Sequence, residues 1–155
     1  MSYTLSTRSL ERLNGVNESL VNIVKNAIKT TKVDFGVTCG LRTKSEQAEL
    51  VKKGASQTMN SRHLPQESTG TSHAVDLVAY IAGRVSWELN LYDDIADAIK
   101  DAAIKEGKSI RWGAAWHKPL NEWDGTAEDL MNEYIDKRRS QGRRPFIDAP
   151  HFELV

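Results

Sequence analysis

Apolar and polar positions along the chain divide it into short helices alternating with short strands. Ser6 to Leu13 predicts a short helix ending near Gly15. After Asn17, a suitable N-cap, Leu20, Val21, Val24 and Ile28 recur at helical spacing to about Lys29, with polar residues on the other faces. Val33-Asp34-Phe35-Gly36-Val37-Thr38 has the β-branched and aromatic content of a strand. Thr43 with Glu46 three residues on makes a capping box, predicting a helix to Lys53 that Gly54 stops. His73 to Ile81 predicts the next strand; Gly83 breaks it, and Arg84-Val85 completes a hairpin. Asn90 is the expected N-cap, with Asp93, of a core helix whose stripe is Ile95, Ala98, Ile99, Ala102 and Ala103 and whose stop is Gly107. Ser109 to Gly113 reads as a strand, Thr126 with Asp129 starts a helix reaching Arg139, and His151 to Leu154 reads as a last short strand.

Length and charge narrow the function classes. At 155 residues the chain is expected to form one domain, 1–155, with a real core. Lys plus Arg and Asp plus Glu number 21 each, so the net charge is zero, which argues against a nucleic-acid partner. The single cysteine, Cys39, forbids an internal disulfide or a multi-cysteine zinc site, and a small buried side chain is the favoured reading of it over a ligand. Met1 to Ser6 lacks the basic and apolar regions of a secretory signal, and no apolar run approaches the roughly 20 residues that span a bilayer. A cytoplasmic product without stable membrane insertion is expected.

Candidate chemistry gathers in two stretches, Ser61 to Leu77 and Asp148 to Leu154. They hold three of the four histidines and two aspartates. Imidazole and carboxylate are the ligand types of a catalytic zinc, which takes three protein ligands and keeps a fourth position for water. Strand alternation places Ala74, Asp76 and Val78 on one face and His73, Val75 and Leu77 on the other. An aspartate in so apolar a strand is costly without a partner such as a metal or an arginine. His73 points away from Asp76, whereas His63 reaches it if the two segments form a hairpin, so His63 is the preferred ligand and His73 the reserve. His151 and Glu153 share a strand face, which suits Glu153 to orient a ligand histidine. Asp148, three residues before His151, is placed to take a proton from a metal-activated water. Arg42, between a strand and a helix start, suits a substrate carboxylate or carbonyl, with a surface ion pair as the plainer reading. Trp112, Trp116 and Trp123 compete between core packing and lining a glycan or peptide groove, with core favoured for Trp112. His117 is a weak further ligand, and the basic run Lys137 to Arg144 reads first as a solvated helix end.

Taken together, Phe35, Gly40-Leu41-Arg42-Thr43, Ser61-x-His63, Ala74-Val75-Asp76, Tyr80-Ile81, Arg111-Trp112-Gly113, Trp116 and His151-x-Glu153-Leu154-Val155 resemble one zinc peptidase family. That family contains the D-alanyl-D-alanine carboxypeptidases and dipeptidases and the L-alanyl-D-glutamate peptidases of bacteriophage endolysins, and this sequence looks like the endolysin branch. It departs in a longer loop between His63 and Asp76, with Ser72 where a glycine is usual. The resemblance implies zinc bound by His63, Asp76 and His151, Asp148 as general base, Arg42 as a catalytic aid, and Ser61 and Trp116 on the substrate. It also implies a monomer acting on the peptidoglycan stem peptide, held in the host cytoplasm until the membrane is permeabilised. The alternatives are a D-alanyl-D-alanine carboxypeptidase and a non-catalytic zinc-stabilised wall-binding module. The expected fold is α+β and hedgehog/DD-peptidase-like, a small antiparallel sheet carrying the zinc site on one face with helices on the other.

Overall fold

The computed structural model describes residues 2–56 and 58–155; Met1, part of the N-terminal segment considered above, and Gln57 lie outside the described residues. The elements are α1 (Thr7–Arg12), α2 (Glu18–Thr30), β1 (Asp34–Cys39), α3 (Lys44–Lys52), β2 (Ala74–Ile81), β3 (Arg84–Ser86), α4 (Leu89–Glu106), β4 (Ile110–Trp112), a 3₁₀ turn at Leu120–Glu122, α5 (Ala127–Ser140) and β5 (His151–Leu154). The capping signals work as the sequence suggests. Ser6, Asn17 and Thr126 each accept a backbone N–H at a helix start, both halves of the Thr43–Glu46 capping box form, and Gly107 ends α4 in the left-handed region at φ 72°.

All strands pair antiparallel in the order β1-β2-β5-β4, with β3 also on β2. The register separates two faces. Val75 opposes Phe152, Leu77 opposes Val37, Phe35 opposes Ala79, and Ile110 opposes Leu154. These side chains are buried with Leu20, Ile23 and Val24 of α2 and Tyr92, Ile95 and Ile99 of α4 in one core. Each such apolar side chain contributes about 1.5–3 kcal/mol when fully buried. The alternate positions, Asp76, His151, Glu153 and Arg111, share the other face. The architecture is thus the α+β arrangement expected, a five-stranded antiparallel sheet flanked by helices.

Two local expectations change. α4 begins at Leu89, and Glu88 precedes it without a side-chain cap, so Asn90 lies inside the helix. The helix start is instead held by Tyr92, whose hydroxyl donates to Ser86 O at 2.8 Å and accepts from Ala79 N at 3.2 Å. Ser61 to Leu64 is a turn, not one arm of a regular hairpin. Gln66 Nε2 closes it by donating to Leu64 O at 2.8 Å and Ser61 O at 3.2 Å. The longer loop continues from there, with Gln66 N donating to Thr71 O at 2.9 Å, and ends at Ser72. That residue is fully buried and stitched to the α1–α2 connection through Ser72 N to Gly15 O and Asn17 N to Ser72 O, at 2.9 and 2.8 Å.

Candidate metal centre and active site

Asp76 stands at the middle of the polar face, with Cys39 of β1 and His151 of β5 as its cross-strand partners. Its Oδ1 lies 3.1 Å from His151 Nδ1 and 3.3 Å from His63 Nε2, and its Oδ2 lies 3.4 Å from Arg42 Nη2. His63 reaches this point from its turn because the backbone is pinned on both sides. Arg42 N donates to His63 O and His73 N to Arg62 O, each at 2.9 Å.

Each imidazole has its outer nitrogen committed. His63 Nδ1 is 2.7 Å from Gly40 O, which can only accept, so Nδ1 carries a proton. Nε2 then faces Asp76; it is buried, and its alignment gives it no hydrogen-bond partner among the described residues. His151 Nε2 lies 2.8 Å from Glu153 Oε1, leaving Nδ1 to face Asp76. A carboxylate between two such nitrogens attracts positive charge. Burial works against a charged His63, yet Asp76, with the Cys39 thiol, outweighs it and pushes the ring up to about 10. Burial likewise opposes charge on His151, and Asp76 and Glu153 prevail, raising it to about 9. Burial would raise Asp76 itself, but the two imidazoles hold it well below the usual carboxylate range. Two protons or one divalent cation satisfy the same arrangement, and a buried imidazole nitrogen lacking a partner fits the cation.

Two groups of donors share Asp76, namely Cys39 with His63, and Asp148 with His151; within each group the donor atoms lie within 4.8 Å of one another. Cys39 is half-buried, and its Sγ is 3.7 Å from His63 Nδ1, so the sulfur belongs to the rim of the centre and is more than core filling. Burial, and then the charge of Asp76, raise the pKa of Asp148. Glu153 is buried beside His151, 3.6 Å from Arg62 Nε and across the β4–β5 pair from Arg111. Burial favours its neutral form, but the hydrogen bond and charge of His151, helped by the two arginines, lower its pKa.

The remaining predicted residues divide by position. Ser61, Trp116, Arg42 and Asp148 line a groove of about 1040 Å³ whose walls also include His63, Asp76 and His151. Trp116 stacks on His151, with ring centroids 5.4 Å apart, and on Phe146. His73 is in neither donor group; its Nε2 bonds Thr69 Oγ1 at 2.8 Å. His117 pairs with Glu133 at 3.3 Å, also outside both groups. Trp112 is fully buried, and Trp123 anchors the start of α5 by donating to Thr126 O at 2.9 Å.

Two glycines shape the centre in ways that spacing did not reveal. A Cβ at Gly113 would lie 2.1 Å from Asp148 O, and one at Gly40 would lie 2.2 Å from Arg12 O. Gly113 also accepts from Asp148 N at 2.7 Å and donates to His151 O at 2.8 Å, so it clamps the turn carrying both residues. Arg62 and Gln47, the latter accepting from Arg42 Nη1 at 3.1 Å, also border the centre. Their only sequence signal is adjacency to the motif residues.

Comparison with known proteins agrees with this geometry. The family described as phage L-alanyl-D-glutamate peptidase matches residues 1–155. The L-alanyl-D-glutamate peptidase of Escherichia phage T5 is 26% identical over 159 residues, covering 100% of both chains. The crystal structure of the Serratia marcescens L-Ala D-Glu endopeptidase ChiX is 35% identical, with a TM-score of 0.70 over 100% of this chain and 90% of that one. The chain therefore belongs to the phage L-alanyl-D-glutamate peptidases, hydrolases that act on the stem peptide of peptidoglycan.

Proposed function

We propose that the protein is a zinc-dependent endolysin in which His63, Asp76 and His151 hold the ion and Asp148 is the general base. The observation that carries this reading is the convergence of two imidazoles on Asp76 Oδ1, each oriented by a second group, Gly40 O for His63 and Glu153 for His151. Three nitrogen and oxygen ligands of this kind are the usual protein share of a catalytic zinc. Cys39 stays outside the set, because its thiol faces Nδ1, the nitrogen already given to Gly40. Zinc at this place supplies a Lewis acid that polarises the scissile carbonyl and brings the pKa of the attacking water toward neutral.

The side chains carry the rest. Asp148 takes the proton of the attacking water, and its raised pKa makes it a better base than an exposed aspartate. As the carbon–nitrogen bond of L-Ala–D-Glu breaks, Asp148 returns that proton to the leaving amine. Arg42 is held by Gln47 and Asp76 and presents its guanidinium where negative charge grows on the carbonyl oxygen. Ser61 and Trp116 form the walls against which the peptide lies. The family assignment favours this reading over a D-alanyl-D-alanine carboxypeptidase and over a non-catalytic module. No helix among the described residues is long and apolar enough to cross a membrane. We place the protein, as a monomer, in the host cytoplasm until the membrane is permeabilised.

The test is mass spectrometry of purified peptidoglycan after digestion by zinc-loaded and chelated protein. Fragments with a free D-Glu amino terminus, made only by the loaded protein, are expected. Asp148→Ala that binds zinc normally yet hydrolyses at the wild-type rate would remove Asp148 from its role.

A further inference from the structure

A D-glutamyl residue within a peptide has two carboxyl groups and uses one in the next peptide bond. One free carboxylate therefore remains within a few bonds of the scissile amide, on the leaving-group side. An enzyme specific for this bond has an anion to recognise there. Among the described residues lining the groove, the cationic side chains besides the two histidines are Arg42 and Arg62. Arg42 is committed, with Nη1 on Gln47 and Nη2 on Asp76, and its side chain is 19% exposed.

Arg62 differs. Its side chain is 39% exposed, its Nη1 donates to the neutral amide of Gln66 at 3.2 Å, and its Nε is 3.6 Å from Glu153 Oε2. Arg62 is one of several partners of Glu153. The carboxylate bonds His151 at 2.8 Å and has Arg111 as its cross-strand partner. Gln66 and Glu153 hold Nη1 and Nε in place, and among the described residues Nη2 makes no hydrogen bond, which leaves that end of the guanidinium for an anion. The residue also sits between the ligand histidine His63 and the orienting carboxylate Glu153, so its position is tied to the centre.

We propose that Arg62 is the specificity-determining residue that reads the free carboxylate of the D-glutamyl residue. This rests on the reading that the groove holds the stem peptide. A carboxylate held equally in the bound substrate and in the transition state acts through KM and leaves kcat unchanged.

The experiment compares two synthetic stem peptides, one with the free carboxylate and one with that group converted to a primary amide. Wild-type protein is expected to favour the acid by about 10- to 100-fold in kcat/KM, the range of a hydrogen bond to a charged group. The difference should lie in KM. Arg62→Gln should bring the acid peptide down to the level of the amide and so abolish the preference, with a smaller loss on the amide peptide than on the acid, while Arg62→Lys should restore part of the preference. A loss of equal size on both peptides in Arg62→Gln, or an unaltered preference, overturns the proposal. Equilibrium binding of the same peptides to Asp148→Asn reads the discrimination without turnover. Preference for the acid that disappears in Asp148→Asn/Arg62→Gln supports the role of Arg62 even if the hydrolytic reading fails, and equal binding of acid and amide refutes it.

Discussion

Gly113→Ala offers the sharpest test of how the centre is held. A Cβ there would sit 2.1 Å from Asp148 O and 3.0 Å from the Cβ of His151. The first contact is with backbone, so no flexible side chain can absorb it. The Asp148–His151 turn must move by about 1 Å to reach ordinary contact distance, a strain of the overpacking kind worth about 1–3 kcal/mol. In a chain of this size that lowers Tm by about 2–12 °C. The functional cost is larger than the stability cost suggests. The moving segment carries both the proposed base and a proposed ligand, and a displacement of about 1 Å costs on the order of 100-fold in rate. Hydrolysis of stem peptide should be measured well below both melting temperatures, together with zinc content and thermal unfolding. Gly70→Ala is the control. Its added Cβ meets nothing within 4 Å, while its φ of +72° makes the substitution strained, so it should lose stability and keep its rate. Gly113→Ala protein with activity within about threefold of wild type would refute the clamp.

Three further outcomes follow from the centre. Glu153→Gln should weaken zinc binding by about 10- to 100-fold, as expected when a ligand histidine loses its orienting carboxylate, and an unchanged affinity by competition with a chelating dye would contradict this. His63→Ala should cost more than that, whereas His73→Ala should leave the affinity unchanged; the reverse order would hand the ligand role to His73. Without metal, His63 and His151 have pKa values raised to about 10 and 9, so the stability they contribute is complete below about 6.5 and is lost as pH rises through 9 to 10. Asp76 has a lowered pKa, so its contribution is present above about 3.8 and is lost as pH falls. The metal-free centre should thus stabilise most between about pH 4 and 6.5, whereas zinc competes with the two protons, binds more tightly as pH rises, and should release about two protons per ion near pH 7. Calorimetry in buffers of different ionisation enthalpy measures that release, and none would count against the shared site.

The parts of this molecule that were legible in its sequence are those whose information is local. A capping box, an N-cap and a helical stripe are written within a few residues, and α2, α3 and α5 lie where those signals put them. Strand alternation also placed Asp76 opposite its apolar neighbours, because a half-buried sheet leaves a carboxylate only one face to occupy. Asn90 misled because its capping chemistry competes with a tertiary one: the Tyr92 hydroxyl bonds to Ser86 and Ala79 and draws the helix start forward.

The centre was legible only where residue type and spacing carried it. His63, Asp76, Asp148 and His151 stand out because buried imidazoles and carboxylates are costly and so demand a reason. Gly40 and Gly113 stand in the motif, but nothing in the sequence shows what they do. Their contribution is the absence of an atom at a point where two backbone segments meet, and that point exists only once α1 abuts the end of β1 and the Asp148–His151 turn folds onto β4. Arg62 is hidden for a related reason. As a sequence position it is one more surface cation, and its place beside Glu153 at the edge of the groove exists only once β5 is in the sheet. A site assembled on a sheet face is therefore read from its donors first. The residues that aim those donors and select the substrate emerge only when the strands are in register.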